Sequence, residues 1–225
     1  MKKTVTLVLL AACCINGYSQ DGNVSIKFCP LALADFVSFP TIQGGVEIKC
    51  SNRFTWYNEV GIKYADAYYN NTDTSFIKSS GFKLKTEVRY YFQRKYKTTF
   101  TGFYVAANAF FIKDHHNAQI DYRNIGNDST INTDAFGVKK NVFGVNAVFG
   151  VQLKIYKRFT FDAFAGVGIR YKHINTINEE YNKNVDAIIT GIDFNIPAYI
   201  RGIDADAGSS VVPSITTGFR ICYNL

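Results

Sequence analysis

From Arg158 to Tyr171 the chain reads RFTFDAFAGVGIRY, and its apolar residues fall on alternate positions. Phe159, Phe161, Ala163, Ala165, Val167, Ile169 and Tyr171 make one row. Thr160, Asp162, Phe164, Gly166, Gly168 and Arg170 make the other. A period of two belongs to an extended strand, whose successive side chains point to opposite faces, and not to a helix, which repeats every ~3.6 residues. A long strand with two chemically different faces separates two environments. The fold must supply both.

Seven further segments repeat the pattern. Val24, Ile26 and Phe28 alternate with Ser25, Lys27 and Cys29; Ile42, Gly44, Val46, Ile48 and Cys50 alternate with Gln43, Gly45, Glu47 and Lys49. Phe54, Trp56, Val60, Ile62 and Tyr64 face away from Thr55, Tyr57, Glu59, Gly61 and Lys63, with Asn58 interrupting the apolar row. Phe82, Leu84, Thr86, Val88, Tyr90 and Phe92 oppose Lys83, Lys85, Glu87, Arg89 and Tyr91. The segment 99–112 is apolar on both rows, while 143–153 and 214–225 alternate again, the latter with Arg220 and Cys222 on its polar row. Most of these segments run for roughly 10–14 residues, about twice the ~5–6 of an ordinary globular strand. The connections alternate in length. Ser51-Asn52-Arg53, QRKYKT and Ile155-Tyr156-Lys157 are short, whereas DAYYNNTDTSFIKSS, 113–139 and 172–210 are long and polar. Only the first, ADFVSFP, breaks this rhythm. In an up-and-down meander all the long connections leave from one end.

The N-terminus reads as an address. Lys2 and Lys3 precede an apolar run from Val5 to Ile15 and the small-residue pattern Gly17-Tyr18-Ser19, which matches a secretory signal peptide over residues 1–19 with the mature domain at 20–225. Leu10-Ala11-Ala12-Cys13 also resembles a lipobox, which would leave Cys13 lipidated. Loss of Lys2 and Lys3 takes the formal net charge from +7 to about +5. The surplus is scattered, with no basic tract of the kind that marks nucleic-acid binding. Cys29, Cys50 and Cys222 remain. An odd number gives no full disulfide framework, although Cys29 and Cys222 would become inward neighbours if the first and last strands pair, and a bridge between them stays open.

Two architectures satisfy eight alternating strands. A soluble β-sandwich buries the apolar rows between two sheets. A transmembrane β-barrel turns them to lipid and the polar rows to its lumen. Strand length, the one-sided distribution of long connections and the export signal favour the barrel. So does the placement of aromatics in a chain with 19 Phe and 15 Tyr. Phe54, Trp56, Tyr90, Phe92, Phe159, Phe161 and Tyr223 gather toward the short turns, and Tyr64, Phe82, Phe111 and Tyr171 toward the long connections. The expected fold is therefore all-β, an eight-stranded antiparallel up-and-down transmembrane β-barrel. Its lumen would hold a polar network of Glu47, Lys49, Glu59, Lys63, Lys85, Glu87, Arg89, Asp162, Arg170 and Arg220. An eight-stranded interior is just wide enough for side chains to fill, so these charges need partners and should plug the barrel. Gly144, Gly150, Gly166, Gly168 and Gly218 would relieve crowding there.

Chemical motifs are weak. Gly166-Val167-Gly168 lacks the third glycine and the following helix of a dinucleotide fingerprint. His115 and His116 are adjacent, so on a strand they point to opposite faces and are poorly placed to share one metal; a solvated loop is expected there. A nucleophile and base of a lipid-modifying enzyme would have to be assembled across loops from His116 or His173, Ser79, Ser80 or Ser210, and Asp114. The expected protein has no catalytic, metal or cofactor site.

The runs VSIKFCPLALADFVSFPTIQGGVEIK, YNEVGIKY, FAGVGIRYK and the terminal GFRICYNL resemble the small outer-membrane β-barrel proteins common in Bacteroidota, with an eight-stranded OmpX/OmpA-like architecture. The resemblance covers essentially the whole mature chain and speaks to architecture rather than activity; the terminal Leu225 departs from the Phe with which such barrels often end. It implies insertion by the outer-membrane assembly machinery, contact with outer-membrane lipids and a place in the Gram-negative outer membrane. The expected role is structural, adhesive or recognition, without catalysis or a wide pore, any surface ligand being taken through loops 113–139 and 172–210. The alternatives are an outer-membrane lipid A deacylase or acyltransferase and a soluble secreted β-sandwich binder.

Overall fold

Alternation of this kind requires every strand to find two neighbours, and each long strand does. The structure, a computed structural model, describes residues 23–32, 41–63, 77–92, 100–124, 131–180, 185–188 and 207–225. The expected leader 1–19, Cys13 and Tyr64 lie outside the described residues. The strands are β1 Val24–Phe28, β2 Thr41–Lys49, β3 Phe54–Lys63, β4 Ile77–Tyr91, β5 Gly102–Asn124, β6 Ile131–Tyr156, β7 Phe159–Ile177, β8 Asp186–Ile188 and β9 Gly208–Asn224. A short 3-10 turn, Pro30–Ala32, follows β1. Among the described residues there is no α-helix, and so none long and apolar enough to cross a membrane.

The nine strands of the described residues belong to one antiparallel sheet in the order β4-β3-β2-β1-β9-β7-β6-β5-β8, and a further β4–β5 pairing closes eight of them into a ring. Lys27 opposite Cys222 marks the seam between β1 and β9, and Glu87 opposite Asn108 the seam between β4 and β5. The short β8 pairs only with Tyr122–Asn124 at the far end of β5 and takes no part in the ring. Two stacked sheets, the soluble alternative, do not form.

The strands are longer than the apolar rows that announce them. Residues 113–139, expected as a polar loop, are largely strand: β5 and β6 pair without a break from Lys113↔Asn141 to Arg123↔Ile131. Within 172–210, also expected as a polar loop, the correction is confined to parts of it: Lys172–Ile177 extends β7, Asp186–Ile188 forms β8 and Gly208 begins β9. The stretch before Phe82 likewise pairs as strand from Ile77. The reason is physical. Strand pairing needs only backbone hydrogen bonds, so it continues after the apolar row has ended. At the other end the turns are tight. β6 runs to Tyr156, and Lys157-Arg158 closes the β6–β7 hairpin with Lys157 at φ 39°, in the left-handed region that such a turn demands. The turns at 50–53 and 157–158 mark the lower end of the ring, and the extended β5, β6 and β7 its upper end.

The faces are inverted relative to a soluble protein. Outside, Val167 and Ile215 are 65% and 82% exposed, and Ile26, Ile42, Trp56, Val88, Phe103, Phe143 and Phe149 are also open. Inside, Lys27, Glu47, Glu87, Arg89, Asp162 and Arg220 are at most 1% exposed. The aromatics of the outer wall pack at an angle to one another near the lower end, with Phe54–Tyr90 and Phe159–Tyr223 each 5.2 Å apart between ring centres. Phe82–Phe111, at 5.9 Å, marks the upper end. Cys29 and Cys222 are buried free thiols and form no bridge, and Cys50 is exposed.

Candidate functional site

The inward rows converge on an ionic core in the lower half of the ring. β1 contributes Lys27, β2 Glu47, β3 Glu59, β4 Lys85, Glu87 and Arg89, β7 Asp162 and β9 Arg220. Each lies on the polar row of its strand, and closure of the ring brings together residues more than a hundred positions apart. Lys27 Nζ lies 2.6 Å from Glu47 Oε2 and 2.8 Å from Asp162 Oδ2. Arg89 donates from Nε and Nη2 to Glu87 Oε2 at 2.9 and 2.6 Å, and from Nη1 to Asp162 Oδ2 at 2.9 Å. Arg220 donates to Glu59 Oε2 at 3.0 Å and to Glu87 Oε1 at 2.8 Å. Lys85 Nζ lies 3.2 Å from Glu59 Oε1. Four cations (Lys27, Lys85, Arg89, Arg220) thus face four carboxylates (Glu47, Glu59, Glu87, Asp162), and the core is neutral. That balance is what a desolvated cluster requires, because an unmatched buried charge costs several kcal/mol.

Aromatic rings order the two guanidinium groups. Arg89 lies 4.6 Å from the ring centres of both Tyr104 and Tyr57, and Arg220 lies 4.6 Å from Tyr57 and 3.9 Å from Phe164. The result is a stack, Tyr104–Arg89–Tyr57–Arg220–Phe164, in which each planar cation rests between two π faces. This explains Phe164, the single aromatic on the polar row of β7. The tyrosines also use their hydroxyls: Tyr104 donates to Asp162 Oδ1 at 2.7 Å and Tyr91 to Glu47 Oε1 at 2.9 Å. Gln152 accepts from Lys27 at 2.9 Å and donates to Thr160 at 2.8 Å.

The inward glycines make room for particular rings. A Cβ on Gly218 would sit 2.9 Å from the Phe164 ring, one on Gly150 would meet Tyr104, and one on Gly144 would meet Phe110. Gly166 and Gly168 are pressed instead against the β6 backbone.

Of the ten residues expected on the lumen, Glu47, Glu59, Lys85, Glu87, Arg89, Asp162 and Arg220 meet in this core. Lys63 stands apart in the upper half, where its Nζ pairs with Asp114 Oδ1 at 2.9 Å. Lys49 is half-buried at the lower end of β2, outside the core. Arg170 is half-buried eight residues along β7 from Asp162, too far to share its partners, and its Nε is buried without a hydrogen bond. Lys27, Tyr57, Tyr91, Tyr104 and Gln152 join the core without having been singled out. Their signal was parity alone, and Lys27 is the only charge in a short strand.

The histidines are not in a solvated loop. Asp114 and His116 are buried on the inward face of β5, with His116 Nδ1 3.2 Å from Asp114 Oδ2. Burial pushes the Asp114 carboxyl up, but the hydrogen bond from His116 and the Lys63 ammonium outweigh it and hold the group below its ordinary value. His173 is on the outer face and its Nδ1 lies 2.8 Å from Ser209 Oγ, with Ser210 on the inward row. Asp114 and His173 therefore occupy opposite faces of the sheet and cannot serve one catalytic trio, and the outward row shared by His173 and Ser209 carries no carboxylate. Among the described residues no three or more His, Cys, Asp or Glu side chains are grouped to hold a metal ion.

A family model for proteins of unknown function, DUF3575, matches residues 5–188. The chain belongs to the DUF3575 family. The match takes in β1 through β8 and stops before β9, the strand that carries Arg220 and completes the ring. No curated protein and no solved structure matches the chain.

Proposed function

We propose that this DUF3575 protein is an integral outer-membrane β-barrel that anchors a recognition surface and carries out no catalysis. One observation carries the reading: the outward wall of the ring is largely apolar and exposed, while the charged side chains that β1, β2, β3, β4, β7 and β9 turn inward are buried. In water that arrangement would leave an apolar surface far larger than the few hundred Å² a soluble monomer ordinarily shows. In lipid it satisfies both walls, because a closed ring pairs its backbone groups internally. The length is right as well. The apolar row of β7 runs from Phe159 to Tyr171; twelve steps of ~3.3 Å, tilted by about 40°, rise about 30 Å, close to the apolar height of an outer-membrane barrel.

In this reading residues 1–19 direct export, the assembly machinery inserts the chain, and the neutral core plugs the lower half against conduction. The upper extension of β5 and β6, with β8 at its side, stands above the membrane and offers the surface for a ligand or an envelope partner. A gel on membrane fractions tests it. A folded barrel stays with the membrane and changes mobility when boiled. Recovery in the soluble fraction, with no shift on boiling, would refute it. Loss of a lipid acyl chain in the protein's presence would instead favour the lipid-modifying enzyme.

A further inference from the structure

We propose that the upper outer wall carries a binding site for an anionic, phosphate-bearing lipid. The site rests on the transmembrane reading above, and deepens it. Phe82, Phe111, Phe143 and Tyr171 line an open cleft of about 560 Å³ that crosses β4 to β7, and Lys113, Asn141 and His173 form its upper edge. The register fixes this layering. Leu84, Phe111, Phe143, Tyr171 and Val211 pair across the strands as one outward row; Phe82, Lys113, Asn141, His173 and Ser209 form the next row up. The row above holds Ser80, His115, Lys139 and Asn175.

Across these two upper rows there are two lysines, two histidines and no carboxylate, so their charge complements a phosphate. Below them the apolar floor suits the first carbons of an acyl chain. Such a boundary between ring faces and cations is where a lipid changes from headgroup to tail. The polar edge is also held in place. Tyr171 donates to Ser209 Oγ at 2.9 Å, and Ser209 lies 2.8 Å from His173 Nδ1, which leaves Nε2 of that ring for a ligand. Neighbouring strands stand ~4.8 Å apart, so Lys113 and His173, two strands apart across Asn141, bracket a gap of about 10 Å. A phosphate with its hydration fits it, bonded to the Asn141 amide between the Lys113 ammonium and the His173 imidazole. At the lower end the outward pairs Phe159–Tyr223 and Phe54–Tyr90 are aromatic, and Arg53 beside them already donates to the Tyr90 hydroxyl at 2.8 Å.

The test reconstitutes the full protein into vesicles of phosphatidylcholine and phosphatidylglycerol, then measures by native mass spectrometry the lipids that stay bound on extraction. The wild type should retain phosphatidylglycerol several-fold above its share of the bilayer. Lys113→Gln should lower that enrichment roughly five-fold, as expected for one basic residue near the headgroups. K113Q/H173Q should abolish it, and K157Q, in the lower turn, should leave it unchanged. Heat-modifiability of each sample reports whether the barrel is inserted. An inserted wild type with no enrichment, or an inserted K113Q/H173Q that keeps it, would overturn the lipid site and leave the barrel reading intact. A wild type that does not insert would overturn both. Retention abolished by excess soluble glycerol phosphate would show a headgroup site without a lipid requirement, and would overturn the proposal as stated.

Discussion

The two halves of the ring interior share one backbone and differ in how their charges are treated. In the lower half four cations meet four carboxylates, two arginines lie between aromatic rings, and every partner is nearly or fully buried. In the upper half the inward rows carry Lys63, Lys83, Lys140, Arg170 and Lys172 against the two carboxylates Asp114 and Asp134, with His116 beside Asp114, on the described strands, and most of these cations are half-buried. Where water is excluded the charges balance; where it reaches in, they do not have to. The lower half is built as a plug and the upper half as a rim.

That contrast can be broken most severely at Arg220. Arg220→Ala leaves Glu59, Glu87 and Asp162 short of a donor, and should cost about 3–5 kcal/mol, the usual penalty for removing one partner from a buried ion pair. It would be read as a drop in the midpoint of heat-induced mobility change. Arg170→Ala, the matching change in the upper half, should cost less than ~1 kcal/mol, as for a partly solvated charge. Equal losses would erase the distinction between the halves.

From the outside the contrast is between walls rather than halves. Val167→Arg sets a charge at the middle of the apolar row of β7, and should impair insertion by about 2–4 kcal/mol; yield of folded protein in vesicles measures it. Gly150→Ala is smaller, about 1–3 kcal/mol, because its Cβ must push Tyr104 away from Asp162 and Arg89.

Acid distinguishes the upper half more gently. Asp114 has a folded pKa below its unfolded one. Its contribution is therefore present above the unfolded value of ~3.9 and lost as pH falls through the folded value. Wild type and Asp114→Asn should differ in stability near neutral pH and converge below about pH 4. A gap that persists unchanged into acid would show that Asp114 contributes through packing and not through its charge.

Much of this was legible in the sequence because parity is a physical constraint. Glu47, Glu59, Glu87, Asp162, Arg89 and Arg220 stand on the polar rows, and in a narrow ring they had to meet. The stack was not legible. Tyr57 and Phe164 stand on polar rows and Tyr104 in a segment apolar on both rows, but which strands face one another across the ring depends on the stagger at closure. The extent of β5 and β6 was hidden for a different reason. Above Phe111 both faces turn polar, so the alternation fades while the backbone pairing goes on to Arg123↔Ile131. Arg170 shares the parity of Asp162, but parity places a residue on a wall and gives no height.

The most direct measurement is a nitroxide scan of β7, one residue at a time from Phe161 to Tyr171, in vesicles and in a background lacking Cys29, Cys50 and Cys222. Collision with oxygen reports lipid, and collision with a polar nickel chelate reports water. Labels at 163, 165, 167 and 169 should collide strongly with oxygen and hardly with nickel, whereas those at 162, 164, 166 and 168 should collide with neither. Nickel contact at 165 and 167 equal to that of an exposed loop would place the apolar wall in water, and would contradict the barrel.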